Sequence, residues 1–169
     1  MGMTMADSPV KNFFFPKITV RYLLRVVVVA ISTFIIFKYA FIPFRVQGES
    51  MSPTYVTGSF NLCFALRYIF SSPVPPDVVM IRMTGRKIML LKRVVATAGQ
   101  RVEFRKGRLF IDGTKVDEPY VAGKYDWTLA PVIVKPGHVY VVGDNRGMPA
   151  EAHTFGQTPV TRIVGVPLW

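Results

Sequence analysis

A single apolar segment near the N-terminus constrains the fold of this chain more than any other feature. It runs from Val20 to Ile42, and within it Val26–Phe37 contains only two polar residues, Ser32 and Thr33. A helix that crosses a bilayer needs roughly 20 mostly apolar residues, and long basic side chains near its ends can reach the headgroups. The segment therefore predicts one transmembrane anchor over residues 20–42, preceded by a tail over residues 1–19.

The residues around the apolar segment favour a retained anchor over a cleaved signal peptide. The sequence Lys38-Tyr39-Ala40-Phe41 follows the apolar run, where a cleavage site would place small residues. Four basic residues and one acid precede the run, so the positive-inside rule keeps the N-terminus on the cytoplasmic or matrix side. A buried helix of a soluble domain is the remaining alternative.

Composition limits the classes of partner. The 169 residues include 21 Lys and Arg against 10 Asp and Glu, a formal net charge of +11. The charges are scattered rather than gathered in a stripe with stacking aromatic residues, which favours an anionic membrane surface over nucleic acid. Cys63 is the only cysteine, so an intrachain disulfide is excluded. The two histidines, His138 and His153, have no close ligand spacing, and no metal site is predicted.

Beyond Phe44 the sequence changes to short runs rich in β-branched and aromatic residues. The predicted strands are Phe60–Arg67, Asp77–Met83, Lys87–Ala96, Arg101–Arg105, Arg108–Ile111, Thr114–Val116, Val132–Val134, His138–Val142 and Arg162–Val166. Turns at Lys106-Gly107 and Asp112-Gly113 connect neighbouring runs as hairpins. Such spacing without helical periods predicts a mainly β, antiparallel domain over residues 43–169, built as sheets or a barrel.

Two segments carry residues that together could perform acyl transfer. Ser50 lies in the turn-forming sequence Gly48-Glu49-Ser50-Met51-Ser52-Pro53. In a predicted strand, one of the adjacent cations Lys92 and Arg93 must face apolar neighbours. Burial lowers a lysine pKa, and a neutral lysine can take the proton of a serine hydroxyl. Taken separately, a structural serine in a turn and a solvated lysine on an edge strand are the alternatives.

A third segment, Gly143-Asp144-Asn145-Arg146, follows the predicted strand His138–Val142. Asp and Asn after a strand cap turns with their side chains, and Arg146 is predicted to pair with Asp144 or Glu151. Alone, this pattern is typical of a satisfied loop.

In this order and spacing, the three segments resemble the type I signal peptidase family. The matching residues are Gly48, Ser50, Met51, Pro53 and Thr54; Lys92-Arg93-Val94-Val95 with Gly99; Asp117-Glu118-Pro119-Tyr120-Val121; and Gly143-Asp144-Asn145-Arg146 with Gly156 and Pro159. The resemblance spans Val46 to Val166. It implies an antiparallel, barrel-like signal-peptidase catalytic domain on one N-terminal transmembrane helix, and a serine endopeptidase that works through a Ser-Lys dyad.

The resemblance also assigns roles to individual residues. Ser50 Oγ would be the nucleophile and Lys92 Nζ the general base, while the Ser50 backbone N–H would help to hold the oxyanion. Some family members carry a hydroxyl where Gly48 stands, and Gly48 offers no side-chain donor. Met51 would pack beside the site. The residues expected to support the site are Asp144, Asn145, Arg146 and Glu151.

Three positions depart from the family pattern. Pro149 stands where a serine usually helps to orient the lysine, and Gln100 stands where an aspartate usually follows the glycine. His153 replaces an arginine and is predicted to pair with Glu151 when it is protonated. A Ser50–His153 pair is a further alternative to the Ser-Lys dyad.

The predicted subtype is a mitochondrial inner membrane protease subunit. The endoplasmic-reticulum branch of the family has histidine where Lys92 stands, and one anchor with a compact β domain is most similar to the mitochondrial members. The resemblance implies a hydrolase that removes N-terminal signal or sorting sequences, with its catalytic domain in the intermembrane space. The alternatives are a bacterial type I signal peptidase of the plasma membrane, a non-catalytic peptide-binding scaffold subunit and a basic lipid-binding domain.

The implied partners are precursor proteins with N-terminal sorting signals, membrane lipid and a second protease subunit, but not nucleic acid. An extended substrate would bind along an exposed strand edge through backbone hydrogen bonds. Ser-Lys chemistry needs neither a metal nor an organic cofactor.

Overall fold

The computed structural model describes residues 19–83, 89–121, 123 and 126–169. The chain divides into two compact units, Met1–Tyr39 and Ala40–Trp169. The described part of the first unit is helical, whereas the second unit contains the strands.

Helix α1, Val20–Ala40, is long and apolar enough to cross a bilayer. Apart from Ala40, all of its residues are exposed. The helix ends two residues before the predicted boundary at Ile42, because Phe41 and Ile42 pair with a neighbouring strand instead. The predicted tail, up to residue 18, lies outside the described residues.

The second unit is built from antiparallel strands. In the described residues these are β1 Phe41–Arg45, β2 Phe60–Phe64, β3 Val78–Arg82, β4 Met89–Thr97, β5 Arg101–Arg105, β6 Arg108–Ile111, β7 Thr114–Lys115, β8 Leu129–Ile133, β9 His138–Val142, β10 Gly156–Pro159 and β11 Ile163–Pro167. One sheet has the order β1-β2-β11-β3-β4-β9-β10 and the other has the order β7-β6-β5-β8. The predicted mainly β, antiparallel fold class is confirmed.

The hairpin predictions are confirmed by the backbone. β5, β6 and β9 have the predicted bounds, and Lys106 and Asp112 have positive φ angles of 46° and 51°. Each is followed by a glycine that also has positive φ, the combination typical of a two-residue hairpin turn.

The sequence pattern does not predict β1 and β10, which lie at the two ends of the seven-stranded sheet. Each contains a proline, Pro43 in β1 and Pro159 in β10. Proline cannot donate to a strand ladder, so it argues against a strand in sequence but is tolerated at a sheet edge. Their pairing with β2 and β9 is a long-range event that local pattern does not report.

Strand β4 contributes to both hydrophobic clusters of the core. Val95 lies in a cluster with Phe104, whereas its neighbour Val94 lies in a second cluster with Val79. Because successive residues of a strand point to opposite faces, β4 is buried on both of its faces. This is the strand that carries Lys92.

Candidate active site

Ser50 lies in a compact turn between β1 and β2. A hydrogen bond from the Ser52 N–H to the Glu49 carbonyl, 3.1 Å, closes the turn. Met51 is 1% exposed and anchors the turn in the interior, while Ser50 is half-buried. Gly48 has a φ of +87°, a backbone conformation that favours glycine. The predicted turn around Ser50 is present, and Met51 packs beneath it.

Lys92 and Arg93, adjacent on β4, are both buried, with exposed fractions of 3% and 8%. The sequence predicts that at least one of the two cations is buried, and the structure buries both. Arg93 forms an ion pair, but Lys92 makes neither a salt bridge nor a hydrogen bond with the described part of the chain. Burial lowers the pKa of Lys92 to about 8, against a smaller opposing effect of the Asp144 carboxylate. A fraction of Lys92 is therefore neutral near physiological pH.

Asp144 is fully buried and is the partner of Arg93. The Arg93 guanidinium donates from Nε to Oδ1 (2.8 Å) and from Nη2 to Oδ2 (2.6 Å), a bidentate pair. Thr54, in the Ser50 turn, donates its hydroxyl to Asp144 Oδ2 at 2.6 Å. The predicted Arg146–Asp144 pair is wrong, because β4 pairs with β9 and places Arg93 opposite Val142, two residues before Asp144.

Arg146 is fully buried and pairs with Glu118. Its Nε also donates to the Gly143 carbonyl at 2.7 Å. Glu151, the other predicted partner, is exposed in a short 3₁₀ helix, Ala150–Ala152, and the predicted Arg146–Glu151 pair is wrong. Arg146 thus joins the loop after β9 to the Asp117–Val121 segment. The sequence predicts that this segment matches the family, but it predicts no role for its residues.

Asn145 connects this loop to the nucleophile turn. Its backbone N–H donates to the Ser50 carbonyl at 3.1 Å, and its side-chain amide donates to the Glu49 carbonyl at 3.0 Å. A Cβ on Gly143 would lie 2.2 Å from the Ser50 carbonyl oxygen, so this close approach requires glycine. The Gly143–Asn145 segment therefore clamps the backbone of the Ser50 turn.

A cavity of about 610 Å³ lies beside Ser50. It is lined by residues of β1, the Ser50 turn, β3 and the first half of β4, including Leu90 and Leu91 next to Lys92. No hydrogen bond joins Ser50 Oγ to Lys92 Nζ within the described residues. Catalytic hydrogen bonds are often long before substrate binds, so the dyad geometry stays a prediction.

His153 is buried, with an exposed fraction of 7%. Its Nε2 lies 2.6 Å from the Asn145 carbonyl oxygen, so the predicted pairing with Glu151 is wrong. Burial lowers the pKa of His153; the hydrogen bond to Asn145 opposes this, and the cations Lys92 and Arg146 reinforce it. The other histidine, His138, has its Nδ1 3.0 Å from the Pro136 carbonyl.

Two aromatic residues complete the surroundings, and the sequence interpretation gives them no role. The Tyr120 ring lies 3.8 Å from the Arg93 guanidinium carbon, and Trp127 contacts His153 edge-on at a centroid distance of 5.0 Å. The family match at Asp117–Val121 is the signal that could have drawn attention to Tyr120. Across the described ranges, no group of three or more His, Cys, Asp or Glu residues could hold a metal ion.

Comparisons with known proteins show which family this chain resembles. A family model described as signal peptidase, peptidase S26, matches residues 19–168. The chain is 30% identical to signal peptidase I of Bacillus caldolyticus over 141 residues, covering 75% of this chain and 77% of that protein. It is 29% identical to thylakoidal processing peptidase 1, chloroplastic, of Arabidopsis thaliana over 148 residues, covering 80% of this chain. That alignment covers 44% of the plant protein, so the chain spans less than half of its length.

Among solved structures, a signal peptidase I from Enterococcus faecalis V583 covers 57% of this chain and 97% of its own, with a TM-score of 0.46 and 23% identity. The relatives named are bacterial and thylakoidal, so the mitochondrial subtype is not shown by them. The family model covers the Ser50 turn, β4 with Lys92 and the Gly143–Arg146 segment. On that match, the chain belongs to the signal peptidase family, peptidase S26.

Proposed function

We propose that this protein is a membrane-anchored serine endopeptidase that removes N-terminal signal or sorting sequences from precursor proteins. The observation that carries the proposal is the state of Lys92, a buried lysine without an ionic partner in the described residues, on a strand that borders the Ser50 cavity. A buried lysine with a pKa of about 8 can be neutral at working pH, as a general base must be.

The proposed reaction is a two-step acyl transfer. Neutral Lys92 Nζ accepts the proton of Ser50 as Oγ bonds to the scissile carbonyl carbon, and the ammonium then protonates the leaving amine as the C–N bond breaks. Water next gives a proton to Lys92 and adds to the Ser50 ester, which releases the acid and returns the proton to Oγ. The Ser50 N–H donates no hydrogen bond within the described part of the chain and can face the oxyanion.

The Ser50 cavity offers a place for the residues before the cut. β1 is one of the two edge strands of its sheet and lines the cavity together with Ser50. An extended peptide could add to this edge through backbone hydrogen bonds. Apolar side chains, among them Ile42, Met51 and Leu90, dominate the wall and favour apolar residues on the substrate.

Cleavage of a precursor by the full chain in detergent tests this proposal. Ser50→Ala and Lys92→Ala are each expected to lower kcat by roughly 10²- to 10⁴-fold or more, because each removes a reacting group. Ser52→Ala, in the same turn, and Lys135→Ala, an exposed lysine, are the matched controls and should cut normally. Cleavage that survives Lys92→Ala would overturn the Ser-Lys mechanism, and precursor binding without any cleavage by the wild type would replace the protease with the scaffold subunit.

The compartment is a separate part of the proposal. We retain the mitochondrial inner membrane with the β unit in the intermembrane space, and the bacterial plasma membrane as the alternative, since the named relatives include bacterial enzymes. Two precursors, one with a mitochondrial sorting signal and one with a bacterial secretory signal, should be compared by kcat/KM. Preference for the mitochondrial precursor supports the first assignment, and the reverse preference supports the second. Co-purification of a second peptidase subunit would test the predicted partner.

A further inference from the structure

His153 stands out because one of its nitrogens has no partner. It follows the 3₁₀ helix Ala150–Ala152 and is 7% exposed. Nε2 lies 2.6 Å from the Asn145 carbonyl, which can only accept, so Nε2 carries the hydrogen of a neutral ring. Nδ1 is then a bare acceptor, an atom that is itself fully buried and has no hydrogen-bond partner in the described part of the chain.

The ring also lies close to the backbone that holds the nucleophile. A Cβ added to Gly143 would lie 2.9 Å from His153 Cε1 and 2.2 Å from the Ser50 carbonyl oxygen. Asn145 accepts from His153 through its carbonyl and donates to the Ser50 carbonyl through its N–H. Two short routes, one by contact and one by hydrogen bonds, therefore run from His153 to the backbone of Ser50.

The surroundings of His153 favour its neutral form. Burial lowers the pKa of the ring most, the hydrogen bond to the Asn145 carbonyl opposes this, and the cations Lys92 on β4 and Arg146 in the loop after β9 lower the pKa further. The coupling is one-sided, because Lys92 loses its proton at a pH where His153 is already uncharged. A neutral His153 can thus lie near Lys92, the proposed base, without adding a second positive charge there.

We propose that His153 is a positioning residue for the Ser50–Lys92 site, acting through Gly143 and Asn145. It would supply the support that Pro149 cannot give, because proline has no hydroxyl. This inference rests on the proposed protease function. The role needs two properties of the imidazole, its planar ring against Trp127 and Gly143 and its Nε2–H toward Asn145. Variants can separate these properties, because glutamine keeps an N–H at a similar reach and phenylalanine keeps only the ring.

The test compares His153→Phe, His153→Gln and the control His138→Phe in the full chain, with kcat, KM and thermal unfolding measured for each. His153→Phe is expected to lower kcat roughly 10- to 100-fold with KM within about twofold, because a displaced reacting group slows chemistry more than binding. His153→Gln should recover much of that loss at an equal unfolding temperature, and His138→Phe should match the wild type.

Each outcome separates this inference from the function beneath it. If the wild type cuts and His153→Phe cuts equally well, the positioning role is overturned and the protease stands. If kcat falls only in proportion to unfolding, with no recovery in His153→Gln, His153 is a packing residue and the inference is again overturned. If the wild type fails to cut both alone and together with a second peptidase subunit, the proposed function fails, and the role of His153 fails with it.

Discussion

The loop after β9 and the middle of β4 bury charge in opposite ways. In the loop, Asp144 and Arg146 are both fully buried, and each has an oppositely charged partner, Arg93 and Glu118. In β4, Lys92 is also buried, with an exposed fraction of 3%, but it has neither a salt bridge nor a hydrogen bond with the described residues. Paired charges keep their ionisation and tie elements together, whereas an unpaired buried amine can lose its proton. Asp144 and Arg146 therefore hold the structure of the site together, whereas Lys92 is the group that could react in it.

The largest expected effect comes from breaking a pair in the loop. Asp144→Asn leaves the Arg93 guanidinium buried without its counter-charge, and we expect a loss of about 3–5 kcal/mol in the free energy of unfolding. Lys92→Met is the matched variant on β4. It should lose no stability, because removing this charge leaves no oppositely charged group without its partner. Urea unfolding in detergent, followed by tryptophan fluorescence, measures both.

Equal destabilisation by these two variants would contradict the difference between the paired loop charges and Lys92, because it would mean that Lys92 is held by an ionic partner. An Asp144→Asn variant within about 1 kcal/mol of the wild type would contradict the structural role of the pair.

An intermediate effect is expected from pH. The neutral form of Lys92 is the proposed base, so kcat/KM should rise with pH through about 8 and fall about tenfold per unit below that. The pKa of Lys92 lies below its ordinary value of 10.5, so the unfolded chain holds the proton longer. The contribution of Lys92 to stability therefore increases as pH rises from about 8 to about 10.5.

A pH–rate profile of the wild type, together with unfolding midpoints of the wild type and Lys92→Met at two pH values, measures this dependence. A profile that is flat across the region below about pH 8 would show that the base is another group. A stability difference between the two proteins that does not change with pH would remove Lys92 as the titrating residue.

The smallest effect is expected at Glu151. The family resemblance makes this acid a support of the site, but the structure leaves it exposed. We expect Glu151→Ala to change the free energy of unfolding by no more than about 0.5 kcal/mol and kcat by less than about twofold. A loss above about 1 kcal/mol, measured by the same urea titration, would restore the role that the sequence pattern assigns to Glu151.

Much of the fold follows from local pattern. The apolar run predicts α1, and alternating residues with hairpin glycines predict β5 and β6 with their final bounds. The edge strands β1 and β10 are missed, because proline lowers the local strand signal and only pairing with a distant strand restores it. The same limit explains why α1 ends at Ala40 rather than Ile42.

The apolar helix, the antiparallel β class and the three segments that place the chain in its family follow from the amino-acid sequence alone. Which charges pair depends on the tertiary structure. Arg93 meets Asp144 because β4 lies beside β9, Arg146 meets Glu118, and His153 meets Asn145. Spacing along the chain predicts neighbours within a turn or a strand, but a buried ion pair depends on which strands lie side by side. The isolation of Lys92 is a property of that arrangement, since Asp144, the carboxylate whose charge acts on Lys92, is already paired with Arg93.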